Sequence, residues 1–146
     1  LKPVLAGERA FFLGIMDIDD FRGINDTFGH SAGDVVLRRM GAVLQEQLGD
    51  ADMASRIGDE FVFVMPGIVG KESAESLLPR ICVASVTHED VPCPISVSIG
   101  FAAFPNDGAA FKVLHKEAGK ALYHAKRQGK RQCAFYGELP EPCPAP

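Results

Sequence analysis

The chain has 146 residues, 47% of them hydrophobic, which is enough apolar material for one domain with a single core. Its formal net charge of −4 argues against a general nucleic-acid binder, since such proteins usually carry a basic excess. No run approaches the roughly 18–20 apolar residues that cross a bilayer, and no signal-peptide pattern is present, so no membrane insertion is expected. In chain order, "FFLGIM", Phe11 to Met16, is a short continuous apolar run ending in acids, which suits a strand buried on both faces. "DVVLRRMGAVLQEQL" repeats apolar residues at three- and four-residue steps through Val36, Leu37, Met40, Val43, Leu44 and Leu48. That spacing predicts a helix with one buried stripe, stopped by Gly49. "SRIGDEFVFVMPG" reads as a hairpin, with "DMASRI" before a Gly-Asp-Glu turn and "FVFVM" after it. "KESAESLLPRICVASV" predicts a second helix whose middle Pro79 puts in question. "PISVSIGFAAF" places Ile95, Val97, Ile99 and Phe101 at period two, a strand with one apolar face. "PNDG" is a turn, "AFKVLHKEAGKALYHAKRQGK" a third helix and "QCAFY" a short last strand. The end, "GELPEPCPAP", is Pro-rich, and a tail or linker is expected over 138–146, leaving a domain over 1–137 that ends at its Gly137. The order β-α-β-β-α-β-α-β predicts an α+β fold with a central, mostly antiparallel sheet flanked by helices.

The four cysteines, Cys82, Cys93, Cys133 and Cys143, form no CxxC pair and no zinc-spaced Cys/His cluster. Reduced thiols and a cytoplasmic location are therefore expected. The sequence opens at "LKPVLAGERA" without Met, so the expectation is a piece of a longer, even membrane-anchored, protein.

Chemistry-bearing residues gather in three places. The first strand runs into "MDIDDF". Asp17 and Asp19 flank Ile18 and are read as alternating faces, so that only one of them points at a given site; Asp17, continuing directly from the buried run, is the choice. Two acids after a strand also suit a solvated loop or a helix N-cap. The hairpin tip carries Asp59 and Glu60. If strand and hairpin are neighbours, Asp17, Asp59 and Glu60 converge, and converging carboxylates repel unless a cation sits between them. Carboxylate and phosphate oxygens suit Mg²⁺, which can assist phosphoryl transfer. "RGINDTFGHSAGD" offers Asn25 and Asp34, whose donors and acceptors can read a guanine edge, with Asp on the N–H side and Asn on the carbonyl side. Helix capping is the plainer use of Ser31 or Asp34, and Asn25-Asp26 also suits the end of a short helix. "AKRQGKRQ" brings Lys126, Arg127, Lys130 and Arg131 to a helix end, where they can hold phosphates or simply complement the helix dipole.

The pieces "MDIDDFRGINDTFGHSAGDVVLRR", "GDEFVFVMPG", "SVSIGFA" and "ALYHAKRQGK" stand in the order and spacing of the GGDEF family of diguanylate cyclases, which this chain resembles from about Phe11 to Phe135. The resemblance implies a palm-like nucleotide cyclase fold, GTP as substrate, Mg²⁺ or Mn²⁺ as cofactor and cyclic di-GMP as product, made by an antiparallel pair of chains. It implies Asp17, the Ile18 carbonyl and Asp59 as metal ligands. Glu60 becomes a further ligand or the group that activates the 3′-hydroxyl. Asn25 and Asp34 become guanine readers, and Arg22, Lys126 and Lys130 phosphate contacts. Arg22 stands where the family often has Lys, and Lys130 where it often has Arg, swaps that keep charge and change geometry.

The sequence also departs from the family. One glycine precedes Asp59-Glu60 where the family has two. Either Ile57 takes the first glycine's place, strained if the turn needs positive φ, or the turn is one residue shorter. The second keeps Asp52 and Arg56 in family positions and is preferred. Gly49 stands where the family's inhibitory Arg-x-x-Asp site has Arg, Gly119 where the family usually has Asp, and the family's N-terminal turn motif is missing. The expected function is a diguanylate cyclase domain. The alternative is a weak or inactive GTP-binding module that regulates an attached domain such as a cyclic di-GMP phosphodiesterase, with linked sensor or phosphodiesterase domains expected in the full-length protein.

Overall fold

A computed structural model of the chain describes residues 10–48, 53–66, 70–85 and 93–140. The apolar run becomes β1, Phe11–Ile18, the central strand of a five-stranded sheet. It is buried on both faces, as a continuous apolar run demands. Leu13 and Ile15 pack with Val62, Phe104, Leu114 and Leu122 on one face, while Met16 and Ile18 pack with Met40, Phe61 and Leu77 on the other.

β1 is followed by α1, Phe21–Phe28, and α2, His30–Leu48. The hairpin is β2, Met53–Ile57, and β3, Glu60–Pro66. Then come α3, Gly70–Ser85, β4, Val97–Phe104, α4, Phe111–Arg127, and β5, Cys133–Phe135. The sheet order is β2-β3-β1-β4-β5. Every pairing is antiparallel except β4 with β5, which are parallel and joined by α4. The α+β architecture is as the sequence predicts.

Several details differ from the sequence reading. The predicted order lacks α1, which is a helix in its own right, closed at Gly29 by an N–H donated to the Asn25 carbonyl at 2.8 Å. The helix expected from Asp34 begins at His30, so Asp34 lies inside α2 and the capping role for it falls away. α3 runs straight through Pro79, because Ala74, Leu77 and Ile81 anchor its buried side on both sides of the proline. β4 is covered on both faces rather than one, since α4 lies over the side opposite Ile99 and Phe101. Gly49 and Asp52 of the inhibitory-site reading lie outside the described residues, as do 141–146 of the tail. Glu138, expected in the tail, closes a 3₁₀ turn over Tyr136–Glu138 and pairs with Lys71 of α3. Among the described residues no helix is long and apolar enough to cross a membrane.

Candidate active site at the end of the central strand

The register between β1 and β3 sets Asp17 directly opposite Glu60, and that between β1 and β4 sets it opposite Ser98. Paired residues of neighbouring strands share a face, and here the face is the one α4 covers. Lys126, in the last turn of α4, reaches down to it, with Nζ 3.2 Å from Asp17 Oδ2. The reading that Asp17 and Asp19 point to opposite faces is wrong. Residues two apart on a strand share a face, and it is Ile18 between them that turns away into the core. The same Lys126 Nζ lies 3.4 Å from Asp19 Oδ1.

Asp19 is buried and fully engaged. It accepts from the hydroxyls of Ser96 and Ser98, each at 2.7 Å, and from the Arg131 N–H at 3.0 Å. Its own N–H donates to the Ser96 carbonyl at 2.9 Å. These contacts tie the end of β1 to the start of β4 and to the turn after α4. In that turn Lys130 and Arg131 both hold positive φ, 64° and 52°. Lys130 is thereby aimed at Asp20, with Nζ and Oδ1 2.7 Å apart.

The short hairpin resolves into a two-residue loop. Ile57 is the last residue of β2 and pairs with Glu60, leaving Gly58 and Asp59 at the tip. Gly58 has φ 67° and Asp59 has no positive φ, the pattern of a type II′ turn with glycine first. Ile57 has no positive φ either, so the strain weighed for it does not arise. Arg56 braces the loop by donating from Nη1 to the Gly58 carbonyl at 3.1 Å. Glu60 meets a partner that sequence reasoning did not single out: His115 of α4, whose Nε2 is 3.3 Å from Oε1. Eleven residues, roughly three helical turns, separate His115 from Lys126, which puts both on one face of α4. That periodicity was the available signal for His115, as the two-residue spacing was for Asp19.

Burial raises the Asp17 carboxyl above the usual carboxylate range; the Lys126 ammonium opposes this, and the Asp59 charge adds to it. A second cation near Asp17 and Asp59 would relieve both the burial cost and the repulsion. Asp17, Asp59 and Glu60 offer carboxylate oxygens and Ile18 a carbonyl, the hard donors Mg²⁺ takes. Among the described residues no three acids, histidines or cysteines form a ready-made metal cage. Mg²⁺ is usually held by one or two carboxylates together with substrate phosphates.

On the other side of β1, α1 and α2 pack against each other and carry the remaining candidates. Arg22 is exposed in the first turn of α1 and Asp34 is exposed on α2. Asn25 lies against α2, and its Oδ1 is buried without a hydrogen-bond partner among the described residues. Asp20 precedes α1 with φ 56° and makes no side-chain cap, so its carboxylate serves Lys130 instead of the helix N–H groups. The structure thus brings Asp17, Glu60, Lys126 and, through Asp20, Lys130 to one end of β1. It places Asn25 on α1 and Asp34 on α2, the helix pair on the opposite face of the sheet.

A mixed sheet whose central strand ends in carboxylates, beside a carboxylate-tipped hairpin and a lysine-bearing helix, defines a nucleotidyl cyclase-like domain. The model of the family "Diguanylate cyclase, GGDEF domain" matches residues 3–132, and the chain belongs to this family. It is 38% identical to diguanylate cyclase DgcP of Pseudomonas aeruginosa over 122 residues, 81% of this chain and 18% of that protein. It is 32% identical to the bifunctional diguanylate cyclase/cyclic di-GMP phosphodiesterase MucR of the same organism over 141 residues, 93% of this chain and 20% of that protein. The chain thus spans about a fifth of the length of these two relatives. The crystal structure of an EAL/GGDEF domain protein from M. capsulatus superposes with a TM-score of 0.79 at 31% identity, covering 92% of this chain and 89% of that one. The fold is the palm-like cyclase fold of these structures.

Proposed function

We propose that this chain condenses two GTP molecules into cyclic di-GMP and pyrophosphate, one GTP per chain, within an antiparallel homodimer. The observation that carries the reading is the strand register that sets Asp17 opposite Glu60 beneath Lys126. Asn25 and Asp34 hold the guanine: Asp34 accepts from the ring N–H and one amino N–H, and Asn25 Oδ1 accepts the remaining amino N–H. This reverses the side expected for Asn25, because its unsatisfied atom is an acceptor. Arg22, Lys126 and Lys130 neutralise the triphosphate. Glu60, steadied by His115, takes the proton of the 3′-hydroxyl as that oxygen bonds to the partner's α-phosphorus and pyrophosphate leaves. Mg²⁺ or Mn²⁺ at Asp17, Ile18, Asp59 and Glu60 supplies charge neutralisation at the phosphates. Residues 1–137 form this unit, in the cytoplasm, and further sensor or phosphodiesterase domains adjoin it in the whole protein.

The shortened hairpin favours a second reading, in which the chain binds GTP and regulates an attached domain without turnover. A displacement of about 1 Å at such a site costs roughly a hundredfold in rate. One experiment separates the two. The chain, forced into a dimer, is incubated with GTP and Mg²⁺ and the nucleotides are analysed, beside a variant with one glycine inserted between Ile57 and Gly58. Cyclic di-GMP from the unaltered chain supports the enzyme. Product from the inserted variant alone supports the regulatory module.

A further inference from the structure

We infer that Gly33 is a specificity-determining position: by carrying no side chain it makes room against α2, at the residue before Asp34, for the Asn25 carboxamide, whose buried oxygen has no partner among the described residues and is left for a ligand N–H. The inference rests on the guanine reading above. Gly33 is buried in α2, its N–H donates to the Gly29 carbonyl at 3.1 Å, and its φ is not positive. Nothing in its backbone requires glycine, and alanine would form the helix better. What it does require is space. A Cβ built there overlaps Asn25 Oδ1, comes within 2.9 Å of Asn25 Cγ and sits 3.3 Å from Phe21 Cζ. The atom it strikes hardest is the same Oδ1 that is buried without a partner. Such an orphaned acceptor is costly unless a ligand satisfies it. Glycine at this position therefore gives up helix stability for the placement of one amide.

The amide is the end of a side chain with rotatable bonds, so a methyl at Gly33 displaces it and leaves the helix standing. The exocyclic amine of guanine is the group that Asn25 would then fail to meet, and inosine lacks that amine. The test measures GTP and ITP binding by calorimetry for the unaltered chain, Gly33→Ala, Asn25→Ala and the double variant, with thermal unfolding alongside. We expect Gly33→Ala to lower the preference for GTP over ITP by about tenfold, to the level of Asn25→Ala. The double variant should show the same preference as either single one, because both changes act through one contact. It should fold at least as stably as the unaltered chain, since the alanine then meets no amide. A Gly33→Ala chain that keeps the full preference overturns the inference, as do losses that add in the double variant. An unaltered chain with no preference between GTP and ITP overturns the guanine reading itself, and this inference with it.

Discussion

Asp19 shows what a single carboxylate contributes when its neighbours are fixed. Its side chain is 4% exposed, and two hydroxyls, one backbone N–H and one ammonium converge on it. Replacing it by alanine leaves the Ser96 and Ser98 hydroxyls without their acceptor in a buried place, leaves the Arg131 N–H only its 3.1 Å contact to Ser98 Oγ, and removes one of the two carboxylates that hold Lys126. The expected loss is about 2–4 kcal/mol, seen as a lower urea midpoint at unchanged m-value, and Asp19→Asn should recover part of it. GTP binding should weaken as well, because Lys126 and the turn carrying Lys130 lose their anchor. A midpoint within error of the unaltered chain would show that these contacts contribute nothing net. The sequence made both aspartates visible but assigned them opposite faces; the period of two, applied correctly, places them together. His115 and Ser98 were harder to see, since their importance depends on which element crosses which, and one sequence does not display that.

At the scale of elements, legibility followed the strength of the hydrophobic pattern. β1 was legible because an unbroken apolar run has few homes other than a central strand, and α2 and α4 because their stripes recur over several turns. α1 was missed because it is a single short amphipathic helix with one fully buried residue, Ile24, set among polar residues that equally suit a loop. Pro79 misled because tertiary packing outweighs a local penalty of about 3 kcal/mol. β5 is three residues long, and its docking can be tested through Cys133. Burial raises that thiol above its ordinary range, with the Glu75 carboxylate adding to the shift and Lys71 opposing it. The folded chain therefore holds the Cys133 proton more tightly than the unfolded chain does. Stability is full below the ordinary thiol pKa and falls as pH rises through it, because the unfolded state loses its proton first. At about pH 8 alkylation of Cys133, located by mass spectrometry, should be slower in the native chain than in urea, and its rate should keep rising above about pH 9. Equal rates in the two states would mean that the edge of the sheet beyond β4 is open.

The whole molecule carries an excess of acid, at a net charge of −4, yet is proposed to bind a polyanion. Lysines of α4 and the turn after it concentrate positive charge at the end of β1, where Asp17, Asp19 and Asp20 pair with them. In the proposed reaction one such site serves one GTP, and the product needs two. Under the proposed mechanism a single chain does not complete the reaction, however well its residues are placed. The dependence on concentration follows directly. For the chain alone, the initial rate per chain should rise in proportion to chain concentration while most chains are monomers. A fusion to a parallel coiled coil that lets two sites face each other should make the rate per chain independent of dilution. A short flexible linker supplies an effective concentration on the order of millimolar, so the fusion should also be far faster at micromolar protein. Light scattering on the same samples fixes the association state. A chain that scatters as a monomer, yet turns over GTP at a rate per chain that does not change on dilution, would rule out the paired mechanism and leave a reaction completed within one chain.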